Sequence, residues 1–286
     1  MKQKIFKVSL GLFFTVSIYG CNSDNNNSTD NVSAGDAYSV TAIDGYLKGA
    51  EVWLDLNNNF LLDANEPSAI SVEGGIATLD VTGIDDPTLY PVVVRAIVGQ
   101  TIDETEGEIT EPFVMSAPAG ESAVTPLTTI VHNSMKKDPS LSKEDAVQKL
   151  ANELGIESDD VLGDFIAGEG KPKAAYAAEQ IVSMGALPES PDDLAKAADQ
   201  TSTESSKFEL VVTAVNQDIK EILDTVSDSQ TVEEIKQDLA AIPPQVPPTD
   251  SDGDGIPDSI DAFDQDPTEW WIATKTISVT MKMILI

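Results

Sequence analysis

Apolar positions along most of this chain follow two successive periods, first that of strands and then that of helices. Short runs at 38–43, 50–54, 76–81, 92–98 and 113–115 are rich in β-branched and aromatic residues, with clusters of Gly, Pro, Asn and Asp between them. That punctuation predicts a small antiparallel β-sandwich over 38–118. Trp53, Val92, Val93 and Val94 are expected in its core, and Ala117-Pro118-Ala119-Gly120 reads as its exit. From Thr125 onward the apolar residues recur every three or four positions. Ser142, with Asp145 three residues on, opens a stripe of Ala146, Val147, Leu150 and Leu154 that Gly155 closes. An alanine-rich stretch over 173–184 ends at Gly185, and Ser190-Pro191 places proline just after an N-cap. Phe208, Val211, Val212, Val215, Ile219, Ile222, Leu223 and Val226 keep the helical spacing longest. Thr231 and Glu234 form a capping box ahead of Ile235 and Leu239. Helices this short do not fold alone, so a single bundle is expected over 119–242. The fold class is therefore α+β and multidomain: a sandwich, a helical domain, a proline-rich linker at 243–249 and an acidic loop segment after it.

The first residues obey a third pattern. Lys2, Lys4 and Lys7 precede an apolar run over 8–19, then Gly20 and Cys21. A spanning helix needs roughly 20 apolar residues, so the run reads as an export signal over 1–20. Ile18-Tyr19-Gly20-Cys21 resembles the lipobox of bacterial lipoproteins, with Tyr19 a less usual occupant of its position. The resemblance implies cleavage before Cys21, lipid on that cysteine and, with Asn22 after it, sorting to the outer membrane. Cys21 is also the only cysteine, although an exported chain commonly carries paired ones. Residues 21–37 are mostly Asn, Ser, Asp and Gly and are expected to form a disordered tether.

Charge narrows the partners. The chain carries 49 acidic and 17 basic residues, a formal charge of −32, and loss of the signal removes three of the bases and no acid. Such a surface repels phosphate backbones, which argues against nucleic acid, and makes cations the natural partners. Asp250, Asp252, Asp254, Asp258 and Asp261 stand at positions one, three, five, nine and twelve of a loop. Gly255 stands at six, and Ile256 at seven offers its carbonyl, the register a calcium ion requires. The stretch resembles a thrombospondin type-3 repeat over 250–269, and by that resemblance Asp266 is a further ligand, while Asp264 stands where proline is frequent. Asp55, Asn57, Asn59, Asp63 and Glu66 repeat the register, with Leu61 at seven. Phe60 takes the glycine position and would have to accept a strained backbone. Calcium binding there and a plain inter-strand turn both fit. Residues 49–66 resemble the B-type repeats of bacterial surface adhesins, Ig-like sandwich modules that carry such a loop.

Other chemistry lacks its parts. Asp103, Glu104, Glu106 and Glu108 match no ligand template and are expected at a solvated hairpin tip. His132 is the only histidine, in a helix predicted over 128–135, which leaves no zinc site or catalytic triad. Asp44-Gly45-Tyr46-Leu47-Lys48-Gly49-Ala50 and Pro126-Leu127-Thr128-Thr129 resemble the opening and close of modules in multidomain surface lipoproteins of Gram-negative bacteria. That resemblance implies a non-enzymatic, calcium-binding envelope protein with an adhesive or structural role toward an envelope or extracellular protein or glycan. The alternative is a substrate-binding or accessory lipoprotein serving a hydrolase or transporter. A cleft lined by aromatics between sandwich and bundle favours the alternative, and a convex, acidic, pocket-free surface favours adhesion. Residues 270–286 lack Asp, Glu, Asn and Gly, and back-translation from the last base of each codon permits a D-x-D-x-D-x-I-G register, so a frameshifted tail is expected there.

Overall fold

A computed structural model describes residues 37–167, 171–227 and 230–240 of the chain. The predicted signal, most of the tether, the linker at 243–249, the acidic repeat with all its ligand positions and the tail lie outside those residues, as does Cys21. What is described is an α+β structure. Its strands are β1 (Ala37–Ala42), β2 (Leu47–Lys48), β3 (Glu51–Leu54), β4 (Ser68–Ile70), β5 (Ile76–Asp80), β6 (Val92–Ala96), β7 (Ile102–Asp103), β8 (Gly107–Glu108), β9 (Phe113–Ala117) and β10 (Ala123–Val124). Its helices are α1 (Pro126–Lys137), α2 (Lys143–Leu154), α3 (Pro172–Ser183), α4 (Pro191–Ala198), α5 (Thr203–Leu223) and α6 (Val232–Ala240). None of them is long and apolar enough to cross a membrane.

The strands form three sheets, in the orders β4-β3-β6-β9, β10-β1-β5 and β2-β7-β8. All pairs are antiparallel except β1 with β10, where Thr41 faces Ala123 and Ala42 faces Val124. This parallel pair departs from the all-antiparallel expectation, and it carries the strand-rich part six residues past the expected boundary at 118. Side-chain alternation along β3, β6 and β9 sends Val52, Leu54, Val92, Val94, Met115 and Ala117 to one face, where they join Val40, Ala42, Ala77 and Leu79 of β1 and β5. Trp53, Val93 and Val114 point to the other face and meet Phe60, Leu194 and Ala198. The central sheet is therefore buried on both sides, with α1 and α4 against it.

Helix ends follow their local signals. Thr125 and Thr128 form a capping box at α1, Ser142 accepts from the Asp145 amide at α2, and Ser190 caps α4. Gly155 closes α2 at φ 71°, the left-handed conformation that suits glycine. Before α6, the Thr231 amide donates to Glu234 Oε2 at 2.8 Å and the Glu234 amide donates back to Thr231 Oγ1 at 3.2 Å. One hydrophobic cluster joins helices to strands: Leu127, Leu150, Ile181 and Ile219 pack in the same core as Val52 and Met115.

Candidate functional site

The loop leaving β3 carries the second predicted calcium register. Asp55 is fully buried; its Oδ1 accepts from the Asn59 amide at 3.0 Å and its Oδ2 from the Phe60 amide at 2.7 Å. Glu66 closes the loop at the other end, with Oε1 accepting from the Leu56 amide at 2.7 Å and Oε2 from the Asp63 amide at 3.0 Å. Asp63 Oδ2 receives the side-chain amides of Asn57 at 2.7 Å and Asn59 at 3.0 Å, and the Leu61 amide donates to Asn59 Oδ1 at 2.7 Å. The five predicted side chains are thus gathered on one loop, but their carboxylates are spent on the loop's own N–H donors. Among the described residues no three His, Cys, Asp or Glu side chains converge on a metal position. The donor set suits a hard cation in kind, provided Asn57 and Asn59 turn their amide oxygens inward.

Phe60 takes up the strain its position demands, at φ 67°. The ring offsets that strain by burial: it is 1% exposed, lies 4.9 Å from the His132 ring and packs against Trp53, Val93 and Val114. Lys136 Nζ sits 5.5 Å from the ring centre and donates to the Asn58 carbonyl at 2.8 Å. His132 is a core residue beneath this loop, its Nδ1 3.0 Å from Ser116 Oγ. Burial first, and the nearby Lys136 charge second, push its pKa down to about 3.

A second site was not singled out by local sequence. A cleft of about 520 Å³ opens between the β1–β2 turn, the β7–β8 hairpin, α3 and α6. The Gly45 amide donates to Asp103 Oδ2 at 2.8 Å, and a Cβ on Gly45 would collide with the Asp103 carboxylate and the Thr105 side chain. Asp103 Oδ1 accepts from the Thr105 and Glu106 amides at 2.7 and 2.9 Å. Asp103 is consequently buried rather than at a solvated tip, because three backbone donors replace its water. Lys236 of α6 reaches across the cleft to pair with Glu106 and Glu179, each at 2.9 Å. Asp44 leaves part of its surface open to the cleft, yet its Oδ1 is sealed from solvent and has no hydrogen-bond partner among the described residues. Burial holds the Asp44 carboxyl well above the ordinary range, and the neighbouring Asp103, Glu179 and Glu106 charges add to the rise. The hydroxyl of Tyr46, a residue at φ 66°, donates to Asp164 Oδ2 at 2.8 Å.

Asp44, Gly45 and Tyr46 belong to the opening motif that resembles surface-lipoprotein modules, and Asp103 and Glu106 belong to the acidic cluster expected at a solvated tip. Comparisons with protein-family models, curated proteins and solved structures find no match to this chain.

Proposed function

We propose that this is a lipid-anchored, calcium-binding lipoprotein of the outer membrane, non-enzymatic, that binds a small ligand in the cleft beside Asp44. In this reading a β-sandwich module and a helical bundle supply opposite walls of the cleft. Lipid on Cys21 holds the chain at the membrane. Calcium at Asp250, Asp252, Asp254, Ile256, Asp258, Asp261 and Asp266 stiffens the segment that follows the linker. The observation that carries the reading is the cleft itself. Its volume of about 520 Å³ falls in the range of small-molecule sites, and Asp44 in its lining has one carboxyl oxygen buried without a partner among the described residues. The role as an accessory or substrate-binding lipoprotein therefore ranks above the adhesive one. Adhesion or envelope organisation keeps support from the Asp55 to Glu66 loop, whose register and left-handed sixth residue suit a calcium-bearing adhesin module.

The test is recovery of the lipidated chain from envelopes in calcium, followed by native mass spectrometry. A small molecule retained by the wild type and lost from Gly45→Ala, in which the cleft floor must shift, is the expected result. An empty wild-type chain that instead captures an envelope or extracellular protein or glycan would favour adhesion. Cys21→Ser is expected in the soluble fraction, and its persistence on carbonate-washed membranes would refute the anchor.

A further inference from the structure

The geometry points to the class of ligand: a small organic cation, bearing a primary amine or guanidinium on a short apolar body, bound with its charge against Asp44. This inference rests on the cleft being a ligand site. Four carboxyl groups, from Asp44, Asp103, Glu106 and Glu179, border the same space. Three of them are partnered: Asp103 is held by backbone amides, and Glu106 and Glu179 share Lys236. Of the four, only Asp44 has a carboxyl oxygen, Oδ1, that is sealed and unpartnered among the described residues, while the rest of its carboxyl is partly exposed in the cleft lining. A buried carboxyl in that condition must either keep a proton or gain a cation.

The cation suited to the cleft is organic rather than a metal. A calcium ion wants six to eight oxygens, whereas the carboxylates here are largely engaged, and no three of them converge among the described residues. An ammonium needs only about three acceptors, and a guanidinium lies flat against one carboxylate. Phe165, Ile166, Pro172, Ala175 and Val232 supply an apolar wall for the ligand's carbon chain. Lys236 already shows the chemistry from within: an ammonium on an alkyl stem, anchored by α6, spanning two carboxylates of the site.

Ligand entry exchanges one cation for another. The incoming ammonium takes its place at the charged Asp44 carboxylate, and a carboxyl that still holds its proton passes it to solvent, so binding weakens as pH falls. The charged groups that line the cleft with Asp44 are Asp103 and Glu106 on the hairpin, Glu179 on α3, Glu233 and Lys236 on α6, and Lys171 ahead of α3, and of these Asp103, Glu179, Glu106 and Lys236 act on the Asp44 charge. Lys236 lowers the need for an external cation, the other side of the same electrostatic balance.

Calorimetry on the full-length chain in detergent, with putrescine, butane-1,4-diol and glutarate as probes of matched reach, tests the inference. Putrescine is expected to bind, with the diol and the diacid weaker by about tenfold or more, the scale of one charge-assisted hydrogen bond. Asp44→Asn is expected to lose about as much affinity for putrescine and to abolish the proton release seen by comparing heats in phosphate and Tris buffers. Lys236→Met should bind putrescine more tightly than wild type. Equal binding of diol and putrescine would overturn the cation assignment and leave a ligand-binding cleft standing. Putrescine binding that survives Asp44→Asn unchanged, or fails to tighten in Lys236→Met, would also overturn it, since diffuse attraction to the acidic surface would then suffice. No binding of any of the three probes overturns the assignment, and the mass-spectrometric test then decides separately whether the cleft binds anything.

Discussion

Phe60 allows a prediction whose sign runs against habit. Alanine is ordinarily the milder replacement for a buried aromatic, because glycine adds backbone freedom to the unfolded chain worth about 0.5–1 kcal/mol. At this position the backbone is left-handed, φ 67°, which disfavours any residue with a Cβ by roughly 1–2 kcal/mol. Both Phe60→Ala and Phe60→Gly lose a ring that is 1% exposed among Trp53, Val93, Val114 and Leu194, a loss on the scale of about 3–5 kcal/mol. Only glycine recovers the strain. Phe60→Gly should therefore be more stable than Phe60→Ala by about 1 kcal/mol, although both fall below wild type. Urea unfolding followed by far-ultraviolet circular dichroism, with slopes unchanged between the two variants, reads the difference directly. If alanine equals or exceeds glycine, the account of the loop as a strained turn held down by its ring is wrong. Repeating the wild-type melt in calcium separates metal from packing: a binding loop gains about 2.7 kcal/mol at a hundredfold excess over Kd, and Asp63→Asn should forfeit it.

Three further outcomes follow from the same contacts. Asp55→Ala strands the amides of Asn59 and Phe60 and should cost about 2–4 kcal/mol in urea unfolding, with Asp55→Asn milder because it keeps one acceptor oxygen. The pKa of His132 is about 3 in the fold against 6.5 when unfolded, so its contribution is intact above pH 6.5 and erodes as pH falls from 6.5 toward 3. Acid titration of stability should show this slope, at up to about 1.4 kcal/mol per pH unit, and His132→Gln should lack it. The Asp44 carboxyl shifts the opposite way, above 3.8, so its neutral form favours the fold at low pH and that advantage is lost as pH rises. Asp44→Asn should consequently raise the melting temperature at pH 7 and leave it unchanged below 3.8; an unchanged value at pH 7 would contradict the burial of that carboxyl.

The elements with local causes were legible from the chain alone. Ser142 with Gly155, Ser190 with Pro191 and Thr231 with Glu234 each mark a helix end through bonds made within a few residues, and α2, α4 and α6 begin or end there. The five predicted strand runs correspond to β1, β3, β5, β6 and β9 for a similar reason: short β-branched and aromatic runs between turn residues are a local signal. The two-residue strands β2, β7, β8 and β10 carry no period of their own and exist because a partner strand lies beside them. The valine run of β6 carries a second signal. Val92, Val93 and Val94 are consecutive and all fully buried, which a strand achieves only when both faces of its sheet are covered. The run thus already implied a covering layer on each face of its sheet, and α1 and α4 contribute to that cover. Val114, on the edge strand β9, donates its amide to the Pro188 carbonyl at 2.8 Å, so the segment before α4 also closes part of the sheet's open side.

The two candidate sites differ in legibility because one is assembled by spacing and the other by topology. In the loop from Asp55 to Glu66 every contributing side chain lies within twelve positions, so the register could be read and even the strain at Phe60 anticipated. At the cleft, Lys236 meets Glu106 from 130 residues away, and Asp44 and Glu179 come from opposite halves of the chain. Asp103 illustrates the consequence: within its own segment it is one acid among four near a glycine, indistinguishable from its solvated neighbours. Its burial is decided by the Gly45 amide, 58 residues earlier, and by the lack of a Cβ that lets the two segments touch. An acidic residue that folds inward beside others raises the free energy of its charged form, and no local pattern records that cost. The long-range marker was a glycine following an aspartate, where a turn explained both residues equally well until the hairpin was seen to lie against them.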